Sequence, residues 1–136
     1  MHNIIDYTLT MPDCIFCKIG NGEMKSDLLY KGDRAFVVRD INPQAPVHLL
    51  VIPYEHIPTI GHITSEQEPL VGHLISVANE AAKSHGLAEK GYRLQINCNR
   101  DGGQTVYHLH IHLFGGRQIG PLLCKHWEPL PPKVKA

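Results

Sequence analysis

Three histidines occupy alternate positions in a short apolar run, as His108, His110 and His112. Successive side chains of a β-strand point to opposite faces of its sheet, so a strand here would place all three imidazoles on one face. A neutral imidazole is a good nucleophile near neutral pH, and a covalent intermediate divides one difficult displacement into two easier steps. The pattern therefore indicates nucleophilic catalysis by histidine, with a polar surface strand as the alternative.

Small and polar residues directly before the histidines are suited to holding a phosphate. The pair Gly102 and Gly103 lets main-chain amides approach an anion closely, because glycine has no side chain in the way. The side chains expected to add neutral donors are Asn97, Gln104 and Thr105. This part of the sequence predicts a phosphorus centre held beside a histidine nucleophile.

Two cysteines near the start of the chain, Cys14 and Cys17, have the spacing of half of a tetrahedral zinc site. A redox-active pair of the thioredoxin type normally opens a helix after a strand, and no strand-like residues precede Cys14. Two buried thiols without a ligand are the remaining interpretation. A zinc site would need two further ligands, which the ten histidines of the chain could supply.

The composition predicts one domain without a broad charged surface. The chain has 136 residues, 43% of them hydrophobic, and its 13 basic residues balance its 13 acidic residues. This content excludes a disordered chain, and the balanced charge argues against broad binding to nucleic acid or membrane. The longest apolar run covers only residues 49–53, and the first residues do not resemble a secretory signal. We therefore expect a cytoplasmic protein with reduced thiols.

Five strand-like runs alternate with loops along the chain. The first two flank Gly32 and Asp33, which predict the turn of a hairpin. A loop rich in proline precedes the third run, and a loop containing glycine precedes the fifth. The predicted strands cover residues 28–30, 35–38, 48–52, 92–97 and 106–114, and these two loops cover residues 40–46 and 98–104.

One long helix is predicted between the third and fourth strands. Ser65 and Glu68 have the pattern of a capping box, in which a hydroxyl and a carboxylate bond to each other's main-chain amides. Gly86 is a suitable end, because glycine readily adopts the left-handed conformation. One long helix against a mostly antiparallel sheet predicts an α+β fold. Its apolar positions, which recur at three- and four-residue spacing, are Leu70, Leu74, Val77, Ala78 and Ala81.

The run Gly-Gly-Gln-Thr-Val-Tyr-His-Leu-His-Ile-His-Leu-Phe-Gly-Gly-Arg at residues 102–117 closely resembles the signature of the histidine-triad (HIT) family. It is most similar to the Hint branch of nucleoside phosphoramidases. Earlier segments at residues 15–19, 40–46 and 48–53 match the family in the same order. The resemblance covers residues 13–117 and implies a five-stranded antiparallel sheet with one long helix, which dimerises into one ten-stranded sheet.

The resemblance implies catalytic roles for three histidines. His110 is the expected nucleophile on the α-phosphate of a nucleotide, and His112 is expected to contact the phosphate or the leaving group. His48, from the preceding strand, is expected to orient His110. An amine leaving group must be protonated as it departs, and a histidine is the expected acid because no carboxylate lies among the histidines.

The resemblance also implies contacts to each part of the nucleotide. Asp40 is expected to bind the ribose hydroxyls through its carboxylate. Apolar side chains are expected around the base, and small or polar residues around the phosphate. The implied base contacts are Phe16, Ile41 and Leu50, and the implied phosphate contacts are Asn97, Gly103 and Thr105.

Many bacterial HIT proteins hold zinc on two such cysteines and two histidines. The resemblance therefore implies a structural zinc site made of Cys14, Cys17, His56 and His108, and it implies no organic cofactor. A zinc-bound His108 could not also be the proton donor. The family's tryptophan near the end of the chain stands here at Trp127 after several intervening residues, so no contact is assigned to it.

The function predicted is hydrolysis of purine nucleoside phosphoramidates, of the adenosine 5′-monophosphoramidate or adenylyl-lysine type, through a nucleotidyl-histidine intermediate. The alternatives are a dinucleoside polyphosphate hydrolase, a non-catalytic nucleotide-binding or scaffold protein, and a metal hydrolase with all three triad histidines on one zinc. The expected partners are a purine nucleotide and a second copy of the chain, without nucleic acid or membrane. The domain is expected at residues 11–127, between a flexible extension at residues 1–10 and a flexible tail at residues 128–136.

Overall fold

The computed structural model describes residues 13–123, so the expected flexible ends and Trp127 lie outside the described residues. Two short 3-10 turns, Ile60–His62 and Ser65–Gln67, precede the long helix. Among the described helices, none has the length and apolar character needed to cross a bilayer. The helices and strands are α1 (Ile15–Gly20), β1 (Leu28–Lys31), β2 (Ala35–Arg39), β3 (Val47–Pro53), α2 (Glu68–Ser84), β4 (Arg93–Gln95) and β5 (Ile111–Gly115).

The five strands form one sheet in the order β1-β2-β3-β5-β4, and every neighbouring pair is antiparallel. The last strand along the chain, β5, therefore lies between β3 and β4 in the sheet. The hairpin of β1 and β2 turns at Gly32, whose N–H donates to the carbonyl of Ala35 at 2.9 Å. These observations confirm the predicted α+β fold with a five-stranded antiparallel sheet and one long helix.

The two faces of the sheet carry different apolar clusters. Because side chains alternate along a strand, Leu49 and Val51 of β3 face α2, whereas Leu50 and Ile52 face α1. The apolar partners of the histidines follow the same rule, since they lie in the cluster beneath α2. These residues are Leu109, Ile111 and Leu113. The histidines are thus directed to the face that carries α1, as the alternation predicts.

The capping box before the long helix lies one residue earlier than predicted. The capping box joins Thr64 and Gln67 in the preceding 3-10 turn, and the predicted pairing of Ser65 with Glu68 is wrong. The helix ends at Ser84, and Gly86 follows with a φ of +71°, as expected of a glycine at a helix end. A hydroxyl residue directly before Ser65 offers the same chemistry one position earlier, so the motif alone could not distinguish the two.

The histidine run is a regular strand only in its second half. β5 begins at Ile111, and β4 is shorter than the predicted residues 92–97. The main chain before Ile111 has other partners: the N–H of Leu109 donates to the carbonyl of Ile57 at 2.6 Å. The prediction of a strand from residue 106 is therefore wrong. The alternation of apolar and polar residues indicates which face of the sheet each side chain takes, but it does not indicate which group the main chain hydrogen-bonds.

Candidate active site

Pairing of β3 with β5 brings the predicted catalytic histidines together. The register sets Leu50 opposite His112, so His48 lies two residues from this pair on the same face. The ring centroids of His48 and His112 are 5.2 Å apart, and those of His110 and His112 are 4.9 Å apart. A slip of one residue would move every apolar side chain of β5 out of the core, so burial fixes this register.

His110 is held by one ring nitrogen, which leaves the other to react. Its Nδ1–H donates to the carbonyl of His108 at 2.7 Å, since a carbonyl can only accept. The ring is 6% exposed, and Phe16 packs against it edge to face with centroids 5.1 Å apart. Burial lowers the pKa of His110. The residue is thus a neutral imidazole with its lone pair on Nε2, which is the form a nucleophile requires.

His48 contacts His112 rather than the nucleophile. The main-chain N–H of Gln44 donates to Nδ1 of His48 at 3.2 Å. On the other side of the ring, Nε2 lies 2.9 Å from Nδ1 of His112 and 3.4 Å from a carboxylate oxygen of Asp40. The expectation that His48 orients His110 is not met by these contacts, because a main-chain carbonyl holds that ring instead.

Burial keeps the catalytic rings uncharged near neutral pH. It lowers the pKa of His112 to about 4, and the neighbouring rings of His110 and His48 add to the shift. Burial also lowers the pKa of His48, against the opposing effect of the Asp40 carboxylate. Three imidazolium ions in this space would repel each other, so the neutral state allows the cluster to exist.

The residues implied to contact ribose and base occupy both fixed and exposed positions. Asp40 follows β2, and one of its carboxylate oxygens accepts the N–H of Asn42 at 2.8 Å. Phe16 and Leu50 are buried in one apolar cluster on the face that carries the histidines. Ile41 is 85% exposed, so its side chain is accessible to a bound ligand.

The implied phosphate contacts lie between the end of β4 and the histidines. Asn97 follows β4, and its Oδ1 accepts from the side chain of Gln95 at 3.0 Å, which leaves its amide hydrogens for another acceptor. Gly103 has a φ of +81°, a conformation that favours glycine, and Thr105 is exposed. This segment can offer donors to an anion from both side chain and main chain.

Gln104 has a different role from the one predicted. The residue is buried, and its Oε1 accepts the N–H of Asn99 at 2.9 Å. Its Nε2 donates to the carbonyls of Pro58 and Val106 at 2.8 and 3.0 Å. Both amide hydrogens are therefore used within the protein, so the side chain braces the loop and has none left for a phosphate.

The four predicted metal ligands converge. Nδ1 of His108 lies 3.3 Å from Sγ of Cys14 and 3.6 Å from Sγ of Cys17. Nδ1 of His56 lies 3.4 Å from Sγ of Cys17 and 3.1 Å from Nδ1 of His108. Tetrahedral zinc, with bonds of about 2.3 Å to sulfur and about 2.0 Å to nitrogen, places its ligand atoms roughly 3.3–3.8 Å apart. Three of the four observed distances lie within this range, and the separation of 3.1 Å between the two Nδ1 atoms is slightly shorter.

The hydrogen bonding of His108 also fits a metal ligand. Its Nε2–H donates to the carbonyl of Pro53 at 2.8 Å, so the lone pair is on Nδ1, directed at the cysteines. Burial lowers the pKa of His108 to about 4, so the ring is in the neutral form that binds metals. His108 directs Nδ1 to the cysteines and Nε2 to a carbonyl, so within the described residues it does not share a metal position with His110 and His112.

A second group of possible ligands, Asp40, His48 and His112, has a chemistry that does not suit a metal. Nδ1 of His48 accepts an N–H, so Nε2 of the neutral ring carries hydrogen. A metal at Nε2 would require an imidazolate anion. The group is therefore better suited to hydrogen bonding than to coordination.

Comparison with known proteins places the chain in a family. Residues 13–122 match the family model described as scavenger mRNA decapping enzyme C-term binding. The crystal structure of a HIT family hydrolase from Legionella pneumophila is similar, with a TM-score of 0.78 and 44% identity, covering 79% of this chain and 96% of that one. A histidine triad protein from Clostridium difficile gives a TM-score of 0.82 and 40% identity, covering 85% of this chain and 100% of that one. The chain belongs to the histidine-triad superfamily.

Within this superfamily, the chain is similar to a phosphoramidase. It is 50% identical over 112 residues to the purine nucleoside phosphoramidase of Escherichia coli K12. The match covers 82% of this chain and 94% of that protein. The similarity therefore extends over nearly all of the relative.

Two contacts of the site were not foreseen from the sequence. In the first, the N–H of Gln44 donates to His48, and in the second, the carbonyl of Pro53 accepts from His108. Both groups belong to the main chain, which every residue type carries, so residue identity gives no signal for them. The prolines around Gln44 are the only indication, since they stiffen the loop that presents its amide.

Proposed function

We propose that this protein is a hydrolase that cleaves purine nucleoside phosphoramidates through a nucleotidyl-histidine intermediate. The observation that carries the proposal is the bond from Nδ1–H of His110 to a carbonyl, because it leaves Nε2 as an unprotonated nucleophile in a buried site. The names of the E. coli phosphoramidase and the Legionella HIT family hydrolase support the same class of reaction.

The proposed reaction has two displacements at the α-phosphorus. Nε2 of His110 attacks first, so an N–P bond to the protein forms and the P–N bond to the amine breaks. The departing nitrogen takes up a proton from solvent and leaves as an amine. Water then attacks the same phosphorus, the bond to His110 breaks, and a nucleoside monophosphate leaves. The proton released by that water balances the one taken up by the amine.

Capture of the intermediate tests this proposal. Mixed with adenosine 5′-monophosphoramidate and quenched within the first turnover, the protein should gain the mass of an adenylyl group on His110. Tight binding of AMP without an adduct or amine release would instead indicate a nucleotide-binding or scaffold protein. Faster cleavage of dinucleoside polyphosphates than of phosphoramidates would favour that alternative hydrolase.

The Asp40→Asn variant is expected to raise KM more than it lowers kcat. A carboxylate that accepts both ribose hydroxyls binds the ground state and the transition state alike, which is uniform binding. Loss of a charge-assisted hydrogen bond costs on the order of 1.5–3 kcal/mol, so KM should rise about tenfold to a hundredfold. Steady-state kinetics with a nucleoside phosphoramidate measure both constants.

Asp33→Asn is the matched control for this variant. Asp33 is an exposed carboxylate in the turn between β1 and β2, so the same change of charge there should leave both constants unchanged. A fall in kcat at unchanged KM in Asp40→Asn would contradict the ribose role. It would assign Asp40 to the chemistry through its contact with His48.

A structural zinc ion on Cys14, Cys17, His56 and His108 is part of the proposal. The distances between the four ligand atoms and the neutral form of His108 support it. Such an ion would tie α1, and with it Phe16, to the segments that carry the two histidines. Thiolate ligands require reduced cysteines, which supports the cytoplasm as the proposed compartment.

The protein is also proposed to form a homodimer by pairing of exposed sheet edges. The sheet ends at β1 and β4, and unpaired edges favour association with another strand. The pairing of β1 is interrupted by a bulge between Leu28 and Tyr30, a common obstacle to edge pairing, whereas β4 keeps an unbroken register. We therefore expect two copies of β4 to join two sheets into one of ten strands.

Sedimentation should then give a particle of twice the 15.2 kDa mass of one chain. The measurement is made by analytical ultracentrifugation at micromolar concentration, where a stable symmetric dimer remains associated. A single monomeric species over the whole micromolar range would contradict the dimer. It would leave the hydrolase proposal intact, because the described catalytic histidines come from one chain.

A further inference from the structure

The hydrogen positions of His48 follow from its contacts. Its Nδ1 receives the main-chain N–H of Gln44 at 3.2 Å, so this nitrogen holds a lone pair. Its Nε2 faces two acceptors, Nδ1 of His112 at 2.9 Å and a carboxylate oxygen of Asp40 at 3.4 Å. Both sides of the ring thus require the same neutral form, with hydrogen on Nε2.

The same reasoning extends to His112. Its Nδ1 accepts the Nε2–H of His48, so the hydrogen of the neutral ring is on Nε2. A second proton on His48 would meet the N–H of Gln44, and a second proton on His112 would meet the Nε2–H of His48. Each addition would place two hydrogens against each other. His112 is therefore arranged as a hydrogen-bond donor at Nε2.

The turn after β5 holds the residue whose N–H starts this chain of bonds. The guanidinium of Arg117 donates to the carbonyl of Gln44 at 3.1 Å and to the carbonyl of Gln118 at 2.7 Å. Gly116 has a φ of +92°, and a Cβ there would lie 2.9 Å from Cβ of Pro46. The turn after β5 is thus in close contact with the loop that contains Gln44, at the carbonyl of Gln44 and at Pro46.

We propose that Arg117 and the main chain of Gln44 are positioning elements that hold His48 and His112 as neutral donors, so that His112 stabilises a phosphoryl oxygen and is not the acid. The inference rests on the proposed function and deepens it. It replaces the expectation that a histidine protonates the leaving amine. A fixed donor needs no reorganisation as negative charge grows on the phosphoryl oxygen, which is how such groups lower a barrier.

Nitrogen-15 NMR of the imidazole rings tests the hydrogen positions directly. At neutral pH the wild-type protein should show Nε2 of both His48 and His112 as the protonated nitrogen and Nδ1 of both as the unprotonated one. A hydrogen on Nδ1 of His48, or two hydrogens on either ring, would overturn the inference. This readout needs no substrate, so it decides the inference even if phosphoramidase activity is absent and the proposed function fails.

Variants of Arg117 provide the second test. Arg117→Met should lower kcat about fivefold to tenfold, the effect of one hydrogen bond, and should mix the two ring forms of His48 in the NMR spectrum. Arg117→Lys retains one hydrogen-bond donor group, so it should restore part of the lost kcat and part of the single ring form of His48. Arg34→Met, which removes an exposed arginine from the turn between β1 and β2, is the control. Wild-type kcat and a single wild-type ring form in Arg117→Met would exclude Arg117 as a positioning residue.

If Arg117→Met does not fold, Gln44→Pro supplies the same test from the other end of the contact. Proline has no N–H, so this variant removes the donor to Nδ1 of His48 and leaves the arginine in place. We expect the ring of His48 to lose its single form and kcat to fall by a similar factor. An unchanged ring form in this variant would overturn the inference.

Discussion

The His110→Ala variant is expected to lose turnover by about a thousandfold or more while it still binds nucleotide. In the proposed reaction His110 provides the attacking Nε2, whereas the unprotonated nitrogens of His48 and His112 in the described site already accept N–H groups of the protein. Nucleotide binding is expected to depend mainly on other groups, Asp40 and the segment after β4. Single-turnover kinetics with a nucleoside phosphoramidate and calorimetric titration with AMP measure the two properties separately.

His73→Ala is a suitable control for the loss of a histidine. His73 lies on α2, which packs on the opposite face of the sheet from the catalytic rings. This variant should keep wild-type turnover. If His110→Ala retained more than about a tenth of wild-type turnover, the nucleophile would have to be another group. A variant that lost nucleotide binding as well would indicate a collapsed pocket, which thermal unfolding would reveal.

Purified protein is expected to contain close to one zinc ion per chain, and Cys17→Ser should lose most of it. Structural zinc contributes directly to folding free energy, because the unfolded chain has no preformed site. We expect the Tm of the variant to fall by about 10 °C or more, which corresponds to roughly 3 kcal/mol for a domain of this size. Activity should fall only in part, through looser placement of Phe16 and His108. Elemental analysis and calorimetry give the two quantities.

Cys98→Ser is the matched control, since Cys98 lies in the loop after β4 and outside the four converging ligands. It should keep both the zinc content and the Tm of the wild type. Wild-type protein without metal, with Cys14 and Cys17 both reactive toward thiol reagents, would contradict the zinc proposal. It would return the two cysteines to the interpretation of buried thiols.

The sequence by itself indicated the candidate residues for the proposed chemistry and determined which face of the sheet they share. Side-chain direction alternates in any extended segment, so His110 and His112 lie on one face and Leu109 lies beneath α2, although the regular strand begins only at Ile111. The period of the apolar residues determined the long helix in the same local way. These properties depend on near neighbours along the chain, and sequence records neighbours directly.

Contacts between distant main-chain groups were decided only by the tertiary structure. The N–H of Gln44 gives His48 its ring form, and the carbonyl of Pro53 gives His108 its own, although neither donor nor acceptor depends on residue type. The side-chain amide of Gln104 could donate to a phosphate, yet in this buried residue both amide hydrogens bond to carbonyls of the protein. A ring nitrogen or an amide hydrogen is available for chemistry only if no nearer group has bonded it, and that is settled by how the folded chain brings distant peptides together.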